Sequence, residues 1–193
     1  MTDMEQIIDL YLPPAAEQLE ISSILSEEKL LRLHPHWFVE DVRQKDEYVA
    51  AKLRDYDTEQ DFSLALFLDT RVSDQGSVNA APIFRIALQE YGATEILFFA
   101  DQDKTRVKIS YGDEKPTEEC IQDVLLWIRG IQEYLRLFLR ATPRTLFFRL
   151  VMNKMVLQMN PSQRKICLMI ARVTVVELVV TLVIVIGYVN FGR

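Results

Sequence analysis

The segment from Ile166 to Gly192 constrains this chain more than any other. Only two of its 27 residues, Arg172 and Glu177, carry a charge. About 20 predominantly apolar residues are enough for a helix to cross the hydrocarbon core of a bilayer. Valine, isoleucine and threonine dominate the segment, which in water would favour a strand. In lipid, however, the backbone groups must bond within the segment. The sequence therefore predicts one transmembrane helix within residues 162–193.

The two charges within this segment differ in position. If the hydrocarbon span runs from Val173 to Gly192, Arg172 lies at its boundary, where a long side chain can reach the head groups. Glu177 lies about 7 Å further along the helix and on a different face. A carboxylate there is costly unless it is protonated, hydrated or paired. Two interpretations stay open: a neutral carboxyl on a lone anchor, or contact of Glu177 with another integral membrane subunit.

A basic segment, residues 141–161, precedes the apolar one. It mixes basic side chains with aromatic and aliphatic ones, as in "PRTLFFRLV". Such a helix suits a membrane interface, although packing on the domain or on a partner is the alternative. The basic residues that we expect at the membrane interface are Arg140, Arg144, Arg149, Lys154, Arg164, Lys165 and Arg172.

Charge is unevenly spread along the chain. Residues 1–140 carry 12 more acidic than basic side chains, whereas residues 141–193 carry a net charge of +6, which together give the total of −6. The acidic part would repel phosphate, so nucleic acid is not an expected partner, whereas anionic lipid suits the basic part. The positive charge before the span predicts a cytoplasmic N-terminal domain. Because the acidic N-terminus lacks an apolar signal segment, we expect a tail-anchored protein.

Residues 1–140 alternate between two periodicities. A β-prone stretch, "EQIIDL", is followed by two short amphipathic helices, the second capped by Ser26. About six segments then alternate apolar and polar residues with the period of a strand. After Pro116 the helical period returns, with Thr117 as a cap. These patterns predict an α+β fold: a strand, two short helices, an antiparallel sheet of about six strands and a C-terminal helix of about six turns.

This element order resembles the helix-grip fold. The motif "LHPHW" at residues 33–37 leads from the second helix into a strand and resembles the Pro/Trp-containing entry of many cyclase-like and coenzyme Q-binding members of that fold. START lipid-transfer domains, Bet v 1-like proteins, polyketide cyclase/aromatases and coenzyme Q-binding proteins share that fold. The resemblance covers Glu5 to Leu139 and implies a helix-grip domain over residues 1–140. In those families the space between sheet and helix is commonly a ligand cavity. Residues that could line it, or simply pack as core, are Phe62, Leu64, Leu66, Phe98, Val124 and Ile128.

Few residues point to catalysis or metal binding. His34 and His36 have no third ligand at a suitable spacing, so we interpret them as loop residues. Cys120 and Cys167 form no CxxC pair, which favours a reducing compartment without a disulfide. The sequence contains no glycine-rich phosphate loop, no GxSxG and no HExxH. We therefore predict no catalytic residue, no metal and no cofactor.

These expectations converge on a membrane-anchored, non-catalytic helix-grip protein. It would act as an accessory subunit of a membrane protein complex, or bind a lipid or other apolar small molecule at the cytoplasmic face. The alternative is a cyclase/aromatase-type enzyme that acts on a lipid-like substrate. An open interior with a polar base would favour the enzyme, and an interior filled by side chains would favour the subunit.

Overall fold

The computed structural model describes residues 4–10, 12, 20–45, 48–70, 80–101, 104–112, 116–139 and 141–191. The chain divides into two compact units, Met1–Gln158 and Met159–Arg193. The first unit contains the sheet and the second contains the apolar C-terminal helix. The predicted boundaries after residues 140 and 161 stay predictions, because they concern independent folding and position at a membrane.

Seven strands form one sheet in the first unit. They are β1 (Glu5–Leu10), β2 (Trp37–Gln44), β3 (Val49–Asp55), β4 (Asp61–Asp69), β5 (Ala80–Gln89), β6 (Ala93–Asp101) and β7 (Lys104–Tyr111). Their spatial order is β1-β7-β6-β5-β4-β3-β2, and every neighbouring pair is antiparallel. Strands β2 to β7 thus form a meander, and β1 pairs with β7, the last strand of that meander.

Alternation along the strands produces one buried face. In β3 the side chains of Val49, Ala51 and Leu53 are buried, as the period of two predicts. The register shifts between Val39 and Asp41, with similar shifts in β5 and β6. Bulges of this kind bend and twist a sheet, which lets its apolar face close around a helix.

Two of the helices begin where the sequence predicts an N-terminal cap. The helices are α1 (Ile21–Ile24), α2 (Glu27–Leu33), α3 (Glu118–Leu139), α4 (Pro143–Lys154) and α5 (Pro161–Phe191), with a short 3-10 helix at Val156–Gln158. The Ser26 hydroxyl accepts from the backbone N–H of Lys29 at 3.4 Å. The Thr117 hydroxyl accepts from the backbone N–H of Cys120 at 3.2 Å. Each bond satisfies a backbone donor that has no partner within its helix.

Helix α3 supplies the helical side of the core. Its buried side chains recur at three- and four-residue spacing: Val124, Trp127, Ile128, Ile131, Tyr134 and Leu135. The indole N–H of Trp127 donates to the carbonyl of Leu30 in α2 at 2.7 Å. A Cβ atom added to Gly130 would lie 2.4 Å from the carbonyl oxygen of Leu33. Helices α2 and α3 therefore pack closely enough to require glycine at position 130.

The first unit has the helix-grip fold, and the α+β prediction is confirmed. The observed order is a strand, two short helices, six further antiparallel strands and a long helix. The buried side chains of the sheet and of α2 and α3 form one hydrophobic cluster. The predicted polar loop before β5 lies largely at positions 71–79, outside the described residues.

Candidate functional site

Helix α5 presents an exposed apolar surface along most of its length. It runs over 31 residues, and the stretch from Pro161 to Val189 is long and apolar enough to cross a membrane by length and composition. Every side chain from Lys165 to Ile186 is exposed. A helix buried in the core of a soluble domain would hide these side chains. The prediction of one helix over this segment agrees with the structure, whereas its location in a membrane stays a prediction.

Charged residues sit near the start of α5 and within it. Arg164 donates through Nε to the carbonyl of Met159 at 3.0 Å, which satisfies a carbonyl of the turn that precedes the helix. Lys165, Arg172 and Glu177 are exposed on the helix surface. Arg172 and Glu177 are separated by five residues, or about 140° of helical turn, so they do not share a face. Their predicted membrane contacts stay predictions.

Helix α4 is docked on α3. Arg149 donates through Nε to the carbonyl of Leu137 at 2.7 Å, and its guanidinium carbon lies 4.5 Å from the centre of the Phe138 ring. The Tyr134 hydroxyl donates to the side-chain oxygen of Asn153 at 2.7 Å. Arg149, which the sequence assigned to a membrane interface, therefore also holds α4 on the domain.

The rest of α4 exposes apolar surface. Leu146, Phe147 and Leu150 are 53%, 61% and 56% exposed. Of the other predicted interface residues nearby, Arg144 and Lys154 are exposed on α4, and Arg140 lies outside the described residues. A capping box between Thr142 and Thr145 fixes the start of the helix. The surface of α4 thus carries both basic and large apolar side chains, and its place at a membrane interface stays a prediction.

Aromatic side chains occupy much of the space between the sheet and α3. Trp37 of β2 lies 5.1 Å from Trp127 of α3, between ring centres, and Phe84 stacks on Phe98 at 4.2 Å. Of the six residues predicted to line a cavity, five are buried in the core: Leu64, Leu66, Phe98, Val124 and Ile128. The sixth, Phe62, is partly buried and packs against that core. Whether they also line a ligand cavity stays a prediction.

An open groove of about 760 Å³ lies between β1 and α3. Ile8 and Leu10 line it from the strand, and Leu125, Leu126 and Ile128 line it from the helix. Polar side chains also line it, and they include both acidic and basic groups, among them Asp9, Arg129, Glu133 and Arg136. The volume falls within the range of small-molecule sites. Ile128 is the one residue of the predicted cavity set that also borders this groove.

A polar cluster joins three distant parts of the domain: Tyr91, Asp123 and His34. The Tyr91 hydroxyl donates to the Asp123 carboxylate at 2.6 Å, and His34 Nε2 lies 3.0 Å from the other carboxylate oxygen. Nδ1 of His34 accepts from the backbone N–H of His36 at 3.3 Å. The proton therefore belongs on Nε2, which donates to Asp123. The ring of His34 is completely buried and stacks on Trp37 at 4.0 Å.

Electrostatics within this cluster favour an ionised Asp123. Burial acts to raise the pKa of Asp123, but the hydrogen bonds from His34 and Tyr91 outweigh it, so the net pKa lies below its usual value. Burial, followed by the bond to Asp123, raises the pKa of the Tyr91 hydroxyl. An acceptor carboxylate between two donors is a stable arrangement, and it ties the α2–β2 loop to α3.

Sequence reasoning placed the two histidines in a loop, where they lie, but did not pair His34 with Asp123. The signal was present in α3, because Asp123 stands among the positions that face the core, between Cys120 and Trp127. An acidic residue on the apolar side of a helix needs a buried partner. His36 is less enclosed, and its Nδ1 lies 2.7 Å from a carboxylate oxygen of Asp57.

The two cysteines differ in burial, and neither lies in a metal-binding cluster of described residues. Cys120 is half-buried, and burial raises the pKa of its thiol, which lowers its reactivity. Cys167 is exposed on α5. In the part of the chain that the structure describes, no three His, Cys, Asp or Glu side chains are arranged to hold a metal ion.

Comparison with known proteins adds little to this description. No family model matches the chain, and no curated protein matches it. The solution structure of Chr148 from Cytophaga hutchinsonii is 17% identical and the match covers 70% of this chain and 88% of that one, with a TM-score of 0.36. The crystal structure of Ara h 8.0201 is 16% identical, with coverages of 72% and 97% and the same TM-score. At that score neither likeness carries an argument, and the helix-grip assignment rests on the element order.

Proposed function

We propose that this chain is a single-pass membrane protein with a cytoplasmic helix-grip domain, and that it serves without catalysis as an accessory subunit of a membrane protein complex. The observation that carries the proposal is the exposure of α5. Its apolar side chains are exposed over more than five turns. Exposed apolar surface costs about 25 cal/mol per Å² in water, and soluble monomers rarely leave large apolar patches uncovered. A bilayer removes that cost.

The charge distribution supports the orientation. Arg144, Arg149, Lys154, Arg164 and Lys165 all precede the apolar part of α5. An excess of Lys and Arg marks the cytoplasmic flank of a span. The domain that precedes these residues is therefore assigned to the cytoplasm.

Helix α4 supports a position of the domain at the lipid surface. Its outward side carries Phe147 and Leu150 beside basic groups, while Arg149 and Asn153 hold its inner side on α3. Aromatic and aliphatic side chains enter the interface, and nearby Lys and Arg attract anionic head groups. Since α4 ends at Lys154 and α5 begins at Pro161, a spanning α5 would tether α4 close to the membrane.

Glu177 supports the role of a subunit rather than a plain anchor. It lies within the apolar stretch, on a different face from Arg172. Ionisable residues within spans usually face other protein rather than lipid. We assign Glu177 to the contact with another integral membrane subunit.

Binding of an apolar molecule is a second candidate function, and the groove between β1 and α3 favours it. Aliphatic side chains line it beside Arg129 and Arg136, and Arg136 is paired with Glu133 at 3.0 Å. A lipid or similar amphiphile would match a largely aliphatic lining with polar groups beside it. Tritiated or fluorescent fatty acid binding to the full chain in detergent, with Leu126→Trp as a blocking variant, would measure it. The cyclase/aromatase-type enzyme stays an alternative prediction.

The test of the main proposal uses the full chain expressed in cells. Membranes are washed with alkaline carbonate, which removes peripheral proteins, and sealed vesicles of both orientations are treated with protease. We expect the chain to stay in the pellet, and the domain to be digested only in inverted vesicles. Extraction by carbonate, or digestion in right-side-out vesicles, would contradict the anchor or its orientation.

Paired variants make the test specific to the span. Val179→Lys with Val183→Lys places two charges in its centre, each costing about 2.5–3.5 kcal/mol of insertion free energy. We expect this variant to move to the carbonate supernatant. Val179→Leu with Val183→Leu should stay in the pellet and serves as the matched control.

A further inference from the structure

The polar side chains of α5 are concentrated on one face. Between Ile166 and Val189 they are Cys167, Thr174, Glu177, Thr181 and Tyr188, with Arg172 as the exception. At about 100° of turn per residue, the five fall within a sector of about 80°, whereas Arg172 points to the opposite side. All five are exposed. These five residues are called the polar stripe below.

The spacing along the polar stripe is regular. Cys167, Thr174, Thr181 and Tyr188 are each seven residues apart. A seven-residue repeat keeps one face of a helix in contact with a second helix over several turns, with left-handed crossing. The opposite side of the span is built from aliphatic residues such as Val176 and Val183, which suit lipid chains.

We infer that the polar stripe is the surface along which α5 packs against α5 of a second copy of this chain, with both copies parallel. This inference rests on the proposed membrane span and specifies the partner of Glu177. The hydroxyls of Thr174, Thr181 and Tyr188 both donate and accept hydrogen bonds. Two identical faces at the same depth therefore satisfy each other, which a lipid-facing position would not allow.

Glu177 fits this arrangement as a neutral carboxyl. It lies three residues after Thr174 and four before Thr181, so hydroxyls stand on either side of it on the same face. In a parallel pair the two Glu177 side chains meet at one depth, where two negative charges would repel. A protonated carboxyl can donate to its counterpart or to a threonine across the interface. The polar stripe itself supplies no basic group that an ionised carboxylate would need.

Disulfide crosslinking in native membranes tests the face directly. Full-length chains with a single cysteine are oxidised with copper phenanthroline at several ratios of protein to lipid. The native Cys167 in a Cys120→Ala background reports on the start of the polar stripe. Thr174→Cys and Thr181→Cys report on positions of the polar stripe further along α5. Val176→Cys and Val183→Cys, two residues further along, are matched controls at similar depth. We expect dimers from the first three positions and at least several-fold less from the two controls.

Variants at Glu177 test its role, with the Cys167 crosslink as readout. Glu177→Gln keeps a neutral hydrogen-bonding group, so the dimer yield should be retained. Glu177→Ala should weaken association by about three- to twentyfold, the range for one intramembrane hydrogen bond. Val176→Ala removes a comparable side chain from the other side and should change nothing.

Several outcomes would overturn the inference. Absence of crosslinks, equal crosslinking at all positions, or a maximum at Val176→Cys and Val183→Cys would each exclude the polar stripe as the interface between copies. Loss of the dimer in Glu177→Gln would show that the carboxyl group itself is needed and would overturn the role of Glu177 as a neutral hydrogen-bonding group between the copies. If the carbonate wash removes the chain, the proposed span fails. If the chain stays in the pellet but does not crosslink, only the self-association fails.

Discussion

Nε2 of His34 lies 3.0 Å from a carboxylate oxygen of Asp123, although 89 residues separate the two in sequence. The bond crosses from the loop after α2 to the second turn of α3. Because His34 is fully buried, its N–H cannot find water if the carboxylate is removed. The pair therefore holds the loop after α2 against helix α3.

We predict that Asp123→Ala lowers the free energy of unfolding by about 2–5 kcal/mol, because it removes the carboxylate that accepts from both the His34 N–H and the Tyr91 hydroxyl. The His34 N–H then keeps a longer contact, 3.3 Å, with the backbone oxygen of residue 123. Asp57→Ala removes the half-exposed carboxylate beside His36 and should cost no more than about 1 kcal/mol. Urea denaturation of both variants measures the difference. Equal losses of unfolding free energy in the two variants would show that burial of the His34–Asp123 pair adds nothing to stability.

The same carboxylate predicts a pH dependence. The pKa of Asp123 is lowered in the folded protein from its ordinary value of 3.8. Its stabilising contribution is therefore complete above about pH 4 and is lost as the pH falls through the folded-state pKa. Between about pH 4 and pH 2 the wild-type protein should lose stability more steeply than Asp123→Asn. Parallel profiles for the two proteins would argue against an ionised Asp123 in the cluster.

Glycine 130 offers a test of the packing between α2 and α3. In a helix interior, Gly→Ala ordinarily gains about 1 kcal/mol. Here the new methyl group would lie 2.4 Å from the backbone oxygen of Leu33, and overpacking costs about 1–3 kcal/mol. We expect Gly130→Ala to destabilise, with a lower midpoint of thermal unfolding. Gly112→Ala, whose methyl would lie 3.5 Å from Thr94, should be nearly neutral. A stabilised Gly130→Ala protein would show that the helices can move apart without cost.

Gly92 and Cys120 form a second close contact, and the side chain of Cys120 can be shortened by substitution with alanine. A Cβ at Gly92 would lie 2.4 Å from the Cys120 sulfur. Gly92→Ala alone should lower stability by about 1–3 kcal/mol, and Cys120→Ala in the same chain should restore most of that loss. A double-mutant cycle from chemical denaturation measures the coupling. Strict additivity would contradict the contact.

The last prediction concerns the end of the first unit. Leu157 is 4% exposed, and Arg32 donates through Nη1 to its carbonyl at 3.2 Å. A chain of residues 1–158 should therefore unfold at higher denaturant than one of residues 1–141, since a buried leucine contributes about 1.5–3 kcal/mol. Within residues 1–158, Leu157→Ala should be destabilising and Leu150→Ala, at an exposed position, should not. Identical midpoints for the two chain lengths would place the domain boundary near residue 140.

Patterns of apolar residues predicted most of this fold. The period of two in "VAAKLRD" and the helical period after Thr117 depend only on burial of one face, which neighbouring residues reveal. The capping roles of Ser26 and Thr117 were readable because a cap bonds to a backbone N–H only three residues further on. Arg149, however, bonds to a carbonyl in another helix, and His34 bonds to the carboxylate of Asp123, 89 residues away. Such pairings depend on how elements dock, which local periodicity does not encode.

Strands β1 and β2 form the two edges of the sheet, and each carries charge along its length: Glu5 and Asp9 on one, Asp41 and Arg43 on the other. The register shift between Val39 and Asp41 further distorts the second edge. Charges and bulges at edges discourage one sheet from adding its strands to another. A membrane confines its proteins to two dimensions and so raises the frequency of collisions between domains. The charged and bulged edges would keep crowded domains from joining into a continuous sheet, so that any contact between copies is left to the helices.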